Sequence, residues 1–222
     1  MEQKIQKTNL NNMRLSKLTS VKAIALMLML LSVKTASAQE VYVLEEKPLT
    51  VQLRTNALYW AALSPNIGIE LQTDMGYAFL ADYVGAWWNN NKKHRYWSNY
   101  AFHVEGRYYL GHNKQATPYY GHHVGLYGIM ATYDFEFGGK GYQSNDLSKT
   151  WSVGVSYGWS KVLNKNFTID FTVGLGYIQS KYDIYVPKDD KYIRTNSKKF
   201  TFFGPSKLEA SLIWNINNKN YK

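Results

Sequence analysis

The sequence predicts an all-β fold, an eight-stranded antiparallel up-and-down transmembrane β-barrel. Three observations carry that expectation. Several stretches alternate strictly between large apolar and small polar residues, the period of a strand. Aromatic residues make up 16% of the 222 residues, with 19 Tyr and 7 Trp, although the mean hydropathy is −0.40. Amphipathic rings in that number suit the girdles of a membrane barrel better than a soluble domain. The connections between alternating stretches are also short at one end and long at the other.

Residues 1–38 read as a signal peptide. The apolar run "AIALMLMLLSV" (23–33) follows Arg14, Lys17 and Lys22, and "ASA" (36–38) supplies small residues for cleavage before Gln39. Met13 is a second candidate start, because "MRLSKLTSVK" is already a basic leader. Eleven apolar residues are too few for a spanning helix. Residues 39–50, "QEVYVLEEKPLT", form an expected periplasmic lead-in, residues 51–217 the barrel, and residues 218–222 a short polar tail.

Composition removes several function classes. There is no cysteine, which excludes a disulfide framework and thiolate metal sites. The formal charge of +10 is partly a property of the leader: residues 1–38 hold six Lys/Arg and one acid, so a mature chain carries twenty against fifteen, or +5. Nucleic acid is therefore not an expected partner.

The eight expected strands cover residues 51–60, 66–73, 77–88, 98–110, 119–135, 149–162, 166–182 and 199–216. The second sets Ile67, Ile69 and Leu71 against Asn66, Gly68, Glu70 and Gln72. The third and fifth are ambiguous, since both of their rows are mostly apolar or small. In the sixth, Trp151, Val153, Val155, Tyr157 and Trp159 alternate with Ser152, Gly154, Ser156, Gly158 and Ser160. The seventh is the clearest: Phe167, Ile169, Phe171, Val173, Leu175 and Tyr177 oppose Thr168, Asp170, Thr172, Gly174 and Gly176. The eighth sets Leu208, Ala210, Leu212, Trp214 and Ile216 against Lys207, Glu209, Ser211 and Asn215.

Tight polar turns join the second to the third strand ("DMG") and the sixth to the seventh ("NKN"); "GHNKQATP" is of middling length. The longer connections, "NNNKKHRYW" (89–97), "EFGGKGYQSNDLSK" (136–149) and "PKDDKYIRTNSK" (187–198), all fall at the other end. Only "AALSPN" is short there. Outer-membrane barrels show this asymmetry.

One alternating strand fits a soluble sandwich as well as a barrel. The difference lies in the polar row, which here is Gly and Ser where a water-facing row would carry Lys, Glu and Arg. Small residues suit the narrow interior of eight strands. The larger polar residues of that row, Arg54, Glu70, Asp82, His103, Glu105, Arg107, Asp170 and Glu209, are expected to pair with one another as a network filling the lumen.

Several segments resemble one family: "LRTNALYWAALSPNIGIEL", "GAWWNNNKKHRYWSNYAFHVEGRYYLG", "GHHVGLYGIMATYDFEFGGKGYQ", "WSVGVSYGWS", "IDFTVGLGY" and "FGPSKLEASLIW". Together they are similar to domain-of-unknown-function family 3575, exported proteins of Gram-negative bacteria taken to be outer-membrane barrels. The resemblance covers about residues 51–216. It implies the compartment and the fold, and it implies no catalytic or binding residues.

The remaining motifs are weaker. In "GHH", His122 and His123 point to opposite faces of a strand, so they do not chelate one metal, and no metal or other cofactor is expected. Asp134 and Glu136 share one face at the strand end and could do acid–base work or bind cations. "GGKG" lacks the strand–loop–helix context of a phosphate loop. Lys92, Lys93, Arg95, Lys188, Lys191 and Arg194 are expected in outer loops, where they would contact anionic lipopolysaccharide. The sequence thus points to a non-enzymatic envelope protein whose partners are outer-membrane lipids, lipopolysaccharide and an unidentified surface or envelope protein. The alternative is a barrel enzyme that acylates or deacylates lipid A.

Overall fold

The computed structural model describes residues 49–90, 93, 95–111, 119–188 and 191–216. The expected signal peptide, most of the lead-in, the 218–222 tail and Lys92 lie outside the described residues. The alternating segments form β1 (Leu49–Asn56), β2 (Asn66–Thr73), β3 (Tyr77–Asn90), β4 (Arg95–Tyr109), β5 (Gly121–Phe137), β6 (Gly141–Ser144), β7 (Thr150–Val162), β8 (Phe167–Lys188) and β9 (Lys191–Asn215). One short helix, α1 (Ala57–Ala61), follows β1.

All pairings are antiparallel, and eight strands close a ring in the order β1-β2-β3-β4-β5-β7-β8-β9, with β9 returning to β1. The closing seam runs from Gln52↔Asn215 to Asn56↔Ser211. The ninth strand, β6, stands outside the ring. It bridges the far ends of β5 and β8 beyond the point where β7 begins.

Strand ends depart from the sequence reading in both directions. Residues 57–60, expected as strand, turn into α1, because the Asn56 side chain accepts the Leu58 N–H at 3.0 Å and starts a helix. Strand pairing runs into all three long connections. β3 runs on to Asn90, β4 starts at Arg95, β6 occupies part of 136–149, and β8 and β9 meet across Lys188↔Lys191. Lys188, Lys191 and Arg194 therefore sit on a projecting hairpin and not in a loop, and Arg95 opens β4. In the projecting part of β9, residues 191–203 are exposed on both faces, so backbone pairing continues without the period-two signal. The length asymmetry persists: residues 74–76 and 163–166 make the short turns at the opposite end.

Facing follows the alternation. Val153, Val155, Phe171 and Leu175 are about half exposed, whereas Ser152, Ser156, Ser160, Thr168, Asp170 and Thr172 are buried. β2 turns Ile67 and Ile69 out and Glu70 and Gln72 in; β9 turns Leu208, Leu212 and Trp214 out and Lys207, Glu209, Ser211 and Asn215 in. The two ambiguous strands resolve the same way. β3 exposes Tyr77, Phe79, Tyr83 and Trp87 and buries Ala78, Leu80, Val84 and Ala86; β5 exposes Val124, Leu126 and Met130 and buries His123 and Tyr127. Their inward rows looked apolar because Ala78 and Leu80 form a small cluster with Tyr109 and Tyr119 at the short-turn end.

The interior is crowded enough to require glycine at specific places. A Cβ at Gly125 would lie 2.5 Å from Glu105 Oε1 and 2.6 Å from Ser156 Oγ, and one at Gly158 would collide with the His123 ring. Gly128, on the outer row, has nothing nearer than Val104 Cγ2 at 3.8 Å. Gly158→Ala is expected to destabilise the protein by about 1–3 kcal/mol through overpacking, while Gly128→Ala stays within about 0.5 kcal/mol. Denaturant unfolding of the two variants side by side checks this.

Candidate functional site

The inward row of the ring gathers all eight residues of the expected network. Arg54 on β1 reaches Glu70 (3.4 Å), Asp82 (3.3 Å) and Glu209 (3.1 Å) and also donates to Ser211 at 3.0 Å. Arg107 on β4 reaches Asp170 (3.1 Å), Glu105 (3.0 Å) and Glu209 (3.3 Å). His103 Nδ1 lies 2.6 Å from Asp82. These side chains come from β1, β2, β3, β4, β8 and β9, so the network ties opposite walls together. Arg107, Glu70 and Asp170 are almost wholly buried.

Two members were not in the expected set. Lys207 bonds Glu105, lies 3.2 Å from Glu209, and sits 3.1 Å from His103 Nε2. His123 Nε2 lies 2.7 Å from Asp170, which also accepts from Ser160 at 2.7 Å and Thr172 at 2.9 Å. The signal for Lys207 was its place in the inward row of the last strand. That for His123 was the face opposite exposed His122, whose Nδ1 meets the Tyr157 hydroxyl at 2.7 Å.

Hydrogen-bond bookkeeping fixes the histidines. The Lys207 ammonium has donors only, so His103 Nε2 accepts and Nδ1–H donates to Asp82. His123 donates through Nε2 to Asp170 and keeps Nδ1 as an unprotonated acceptor, since a second buried N–H there would have no partner. Five carboxylates then face Arg54, Arg107 and Lys207. The surplus negative charge is spread over neutral donors: Tyr109 and Gln72 give hydrogen bonds to Glu70 at 3.1 and 2.9 Å, and Ser156 donates to Glu105.

Asp82, His103 and Glu209 bring three ligand atoms within 4.8 Å of one another. The spacing would suit a metal, but the surroundings do not. Arg54 Nε is 3.3 Å from Asp82, and the His103 nitrogen nearest the acids already carries a proton. The group works as part of the ion network.

Asp134 and Glu136 are elsewhere, on the outward row of β5 above the ring. Asp134 accepts from Gln143 Nε2 at 2.9 Å and from the Tyr185 hydroxyl at 2.5 Å, and Glu136 is buried. Asp134 lines an open cavity of about 390 Å³ on the wall of β3–β6, together with Trp87, Tyr96, Ser98, Tyr100 and Gln143. His122 and His123 are not among its lining residues; they lie at the opposite end of β5. Of the cationic residues, Arg194 pairs with Asp183 at 2.7 Å on the projecting hairpin, and Arg95 faces Asn90 and Phe137 at the base of the β3–β4 turn. Lys93 lies in that turn, and Lys188 and Lys191 pair at the hairpin tip.

Residues 24–216 match the family described as "Protein of unknown function (DUF3575)". The chain belongs to this family. The match begins inside the apolar run and so takes in residues 39–50, beyond the 51–216 over which the segments carry the resemblance. No curated protein and no solved structure matches the chain.

Arg107 is a buried cation held by three carboxylates. Arg107→Ala leaves Glu105 and Asp170 short of a counter-charge and is expected to cost on the order of 3–5 kcal/mol. The shift of the unfolding midpoint in urea measures it, and a neutral result would mean that water reaches Arg107.

Proposed function

We propose that the chain is an outer-membrane β-barrel protein without catalytic activity, serving a structural or accessory role in a Gram-negative envelope. One observation carries the reading: a closed ring of eight strands turns its large apolar residues outward and its ionised ones inward. In water that polarity would leave a continuous apolar belt exposed, far larger than soluble monomers carry. In a bilayer the same belt is the solvated face, and closure of the ring pairs β9 with β1 as far as Ser211. Aromatic side chains at both ends of the belt, Tyr77 and Tyr108 at one and Trp87 and Tyr100 at the other, fit interfacial girdles. The filled interior speaks against a wide pore.

On this reading residues 1–38 are a cleaved signal peptide, the short turns face the periplasm and the projecting hairpins face outward. The cationic residues Lys93, Arg95, Lys188, Lys191 and Arg194 then stand at the height of lipopolysaccharide phosphates. An acyltransferase or deacylase of lipid A finds less support. Such chemistry needs a nucleophile and base within hydrogen-bond reach, and the wall cavity that holds Ser98 and Asp134 has no histidine among its described lining residues.

Cell fractionation is the first test. The protein should be recovered with outer membranes and migrate differently on gels when unheated; recovery from the soluble periplasm would sink the proposal. Facing is the second. Val155→Arg or Phe171→Arg should cost about 2–4 kcal/mol near the bilayer midplane, and lipid-tail quenchers should reach labels at 155 and 171 but not at 156 and 172. Lipid A from deletion, His122→Ala and His123→Ala strains should keep its acylation pattern by mass spectrometry, and loss or gain of one chain with the barrel folded would favour catalysis.

A further inference from the structure

The cavity on the outer wall of β3–β6 has a definite height. Register places Tyr83, Phe102 and Met130 in one outward row, all of them large apolar or aromatic and substantially exposed. The next outward row is Gly85, Tyr100 and Thr132, and the one beyond is Trp87, Ser98, Asp134 and Gln143. Within two rows the wall changes from apolar to a mixture of flat aromatic rings and hydrogen-bonding groups. That is where the hydrocarbon ends and headgroups begin if the belt is lipid-facing.

The chemistry of the lining narrows the ligand. Trp87 is 60% exposed and offers an indole face, and Tyr96 and Tyr100 add amphipathic surface. Ser98 can donate or accept, and the Asp134 carboxylate accepts only. Asp134 is held still: Gln143 bonds one carboxylate oxygen and Tyr185 the other, and each oxygen retains a lone pair for a further donor. Tyr96 is itself anchored, its hydroxyl 2.6 Å from that of Tyr192 on the projecting hairpin. Among the described residues no Lys or Arg lines the cavity, so a phosphate would meet the Asp134 carboxylate there and no described counter-charge. A ring that stacks one C–H face on an aromatic and presents hydroxyls or an amine to a carboxylate meets every one of these features. The volume, about 390 Å³, lies within the range of small-molecule sites.

We propose that this cavity binds a neutral or amino hexopyranose, supplied in place by the sugar portion of the surrounding lipopolysaccharide. Trp87 stacks on the apolar face of the ring, and Asp134, set by Gln143 and Tyr185, accepts from its hydroxyl or ammonium groups. The site is separate from the cationic hairpin residues, which answer to phosphate. Only the source of the sugar rests on the membrane reading; the recognition itself does not.

The test uses the full mature chain in detergent and isothermal titration calorimetry. The probes are deacylated lipopolysaccharide carbohydrate, the same material after enzymatic dephosphorylation, glucosamine, and inorganic phosphate. The expected result is saturable binding of both carbohydrate preparations, with carbohydrate affinity unchanged when inorganic phosphate is present. Trp87→Ala and Asp134→Asn should each weaken binding by about tenfold or more, whereas Trp87→Phe stays within about threefold of the parent. Heat-modifiable migration reports folding of each variant, and Asp134→Asn, which preserves shape, decides the matter if Trp87→Ala does not fold. Glucosamine binding as tightly as the larger carbohydrate would keep the pocket and move its ligand to free sugar. Absence of carbohydrate binding, binding that vanishes on dephosphorylation, or binding indifferent to Asp134→Asn and Trp87→Phe alike with Trp87→Ala would overturn the proposal. Failure of the membrane reading shows separately, as recovery of the chain in the soluble fraction.

Discussion

The ion network inside the ring is the constraint on which the rest of the structure depends. Arg54, Arg107 and Lys207 hold five carboxylates contributed by β2, β3, β4, β8 and β9, and no two neighbouring strands could supply that set alone. Charges of this kind are stable away from water only when they are paired and their remaining hydrogen-bond sites are filled. Closing eight strands into a ring brings the partners within reach. The same closure leaves the apolar row nowhere to go but outward.

Space inside the ring is the second consequence. Long inward side chains such as Arg107, Tyr109 and Tyr127 face small ones on the opposing strands, and Gly125 and Gly158 give up their Cβ so that Glu105 and His123 fit. The Gly/Ser row of β7 and the Gly/Thr positions of β8 are therefore counterparts of the large polar residues on β1, β4 and β9. Packing of this density is felt by changes of a single methyl group.

Above the ring the rules change. β9 pairs only with β8 from Lys191 to Ala210, since β1 reaches no further than Ser211, and Pro205 sits where the β8–β9 register shifts between Gly174 and Leu175. β6 adds a short bridge between β5 and β8 and gives the wall the local concavity that holds Asp134. The projecting part is thus built from backbone pairing and aromatic contacts such as Tyr96–Tyr192 and Tyr185–Tyr192.

The sequence by itself determined the all-β class, the antiparallel order, the facing of β2, β7, β8 and β9, and the eight inward polar residues, because a period of two survives wherever one face differs chemically from the other. It could not determine where β3, β4, β8 and β9 end, since above the ring both faces see similar surroundings and the alternation fades. It did not show the helical turn after Asn56, a capping event decided by one side chain against a strand-like run. Lys207 was legible as an inward position but not as a network member, and of His122 and His123 one was expected inside without its being clear which, because pairing depends on which strands lie across the ring. Only tertiary structure decided that, and only it decided that Asp134 meets Trp87, Ser98 and Gln143 on one concave wall. The reason is physical: register aligns residues far apart in the chain, and no local pattern encodes the distance across a closed sheet.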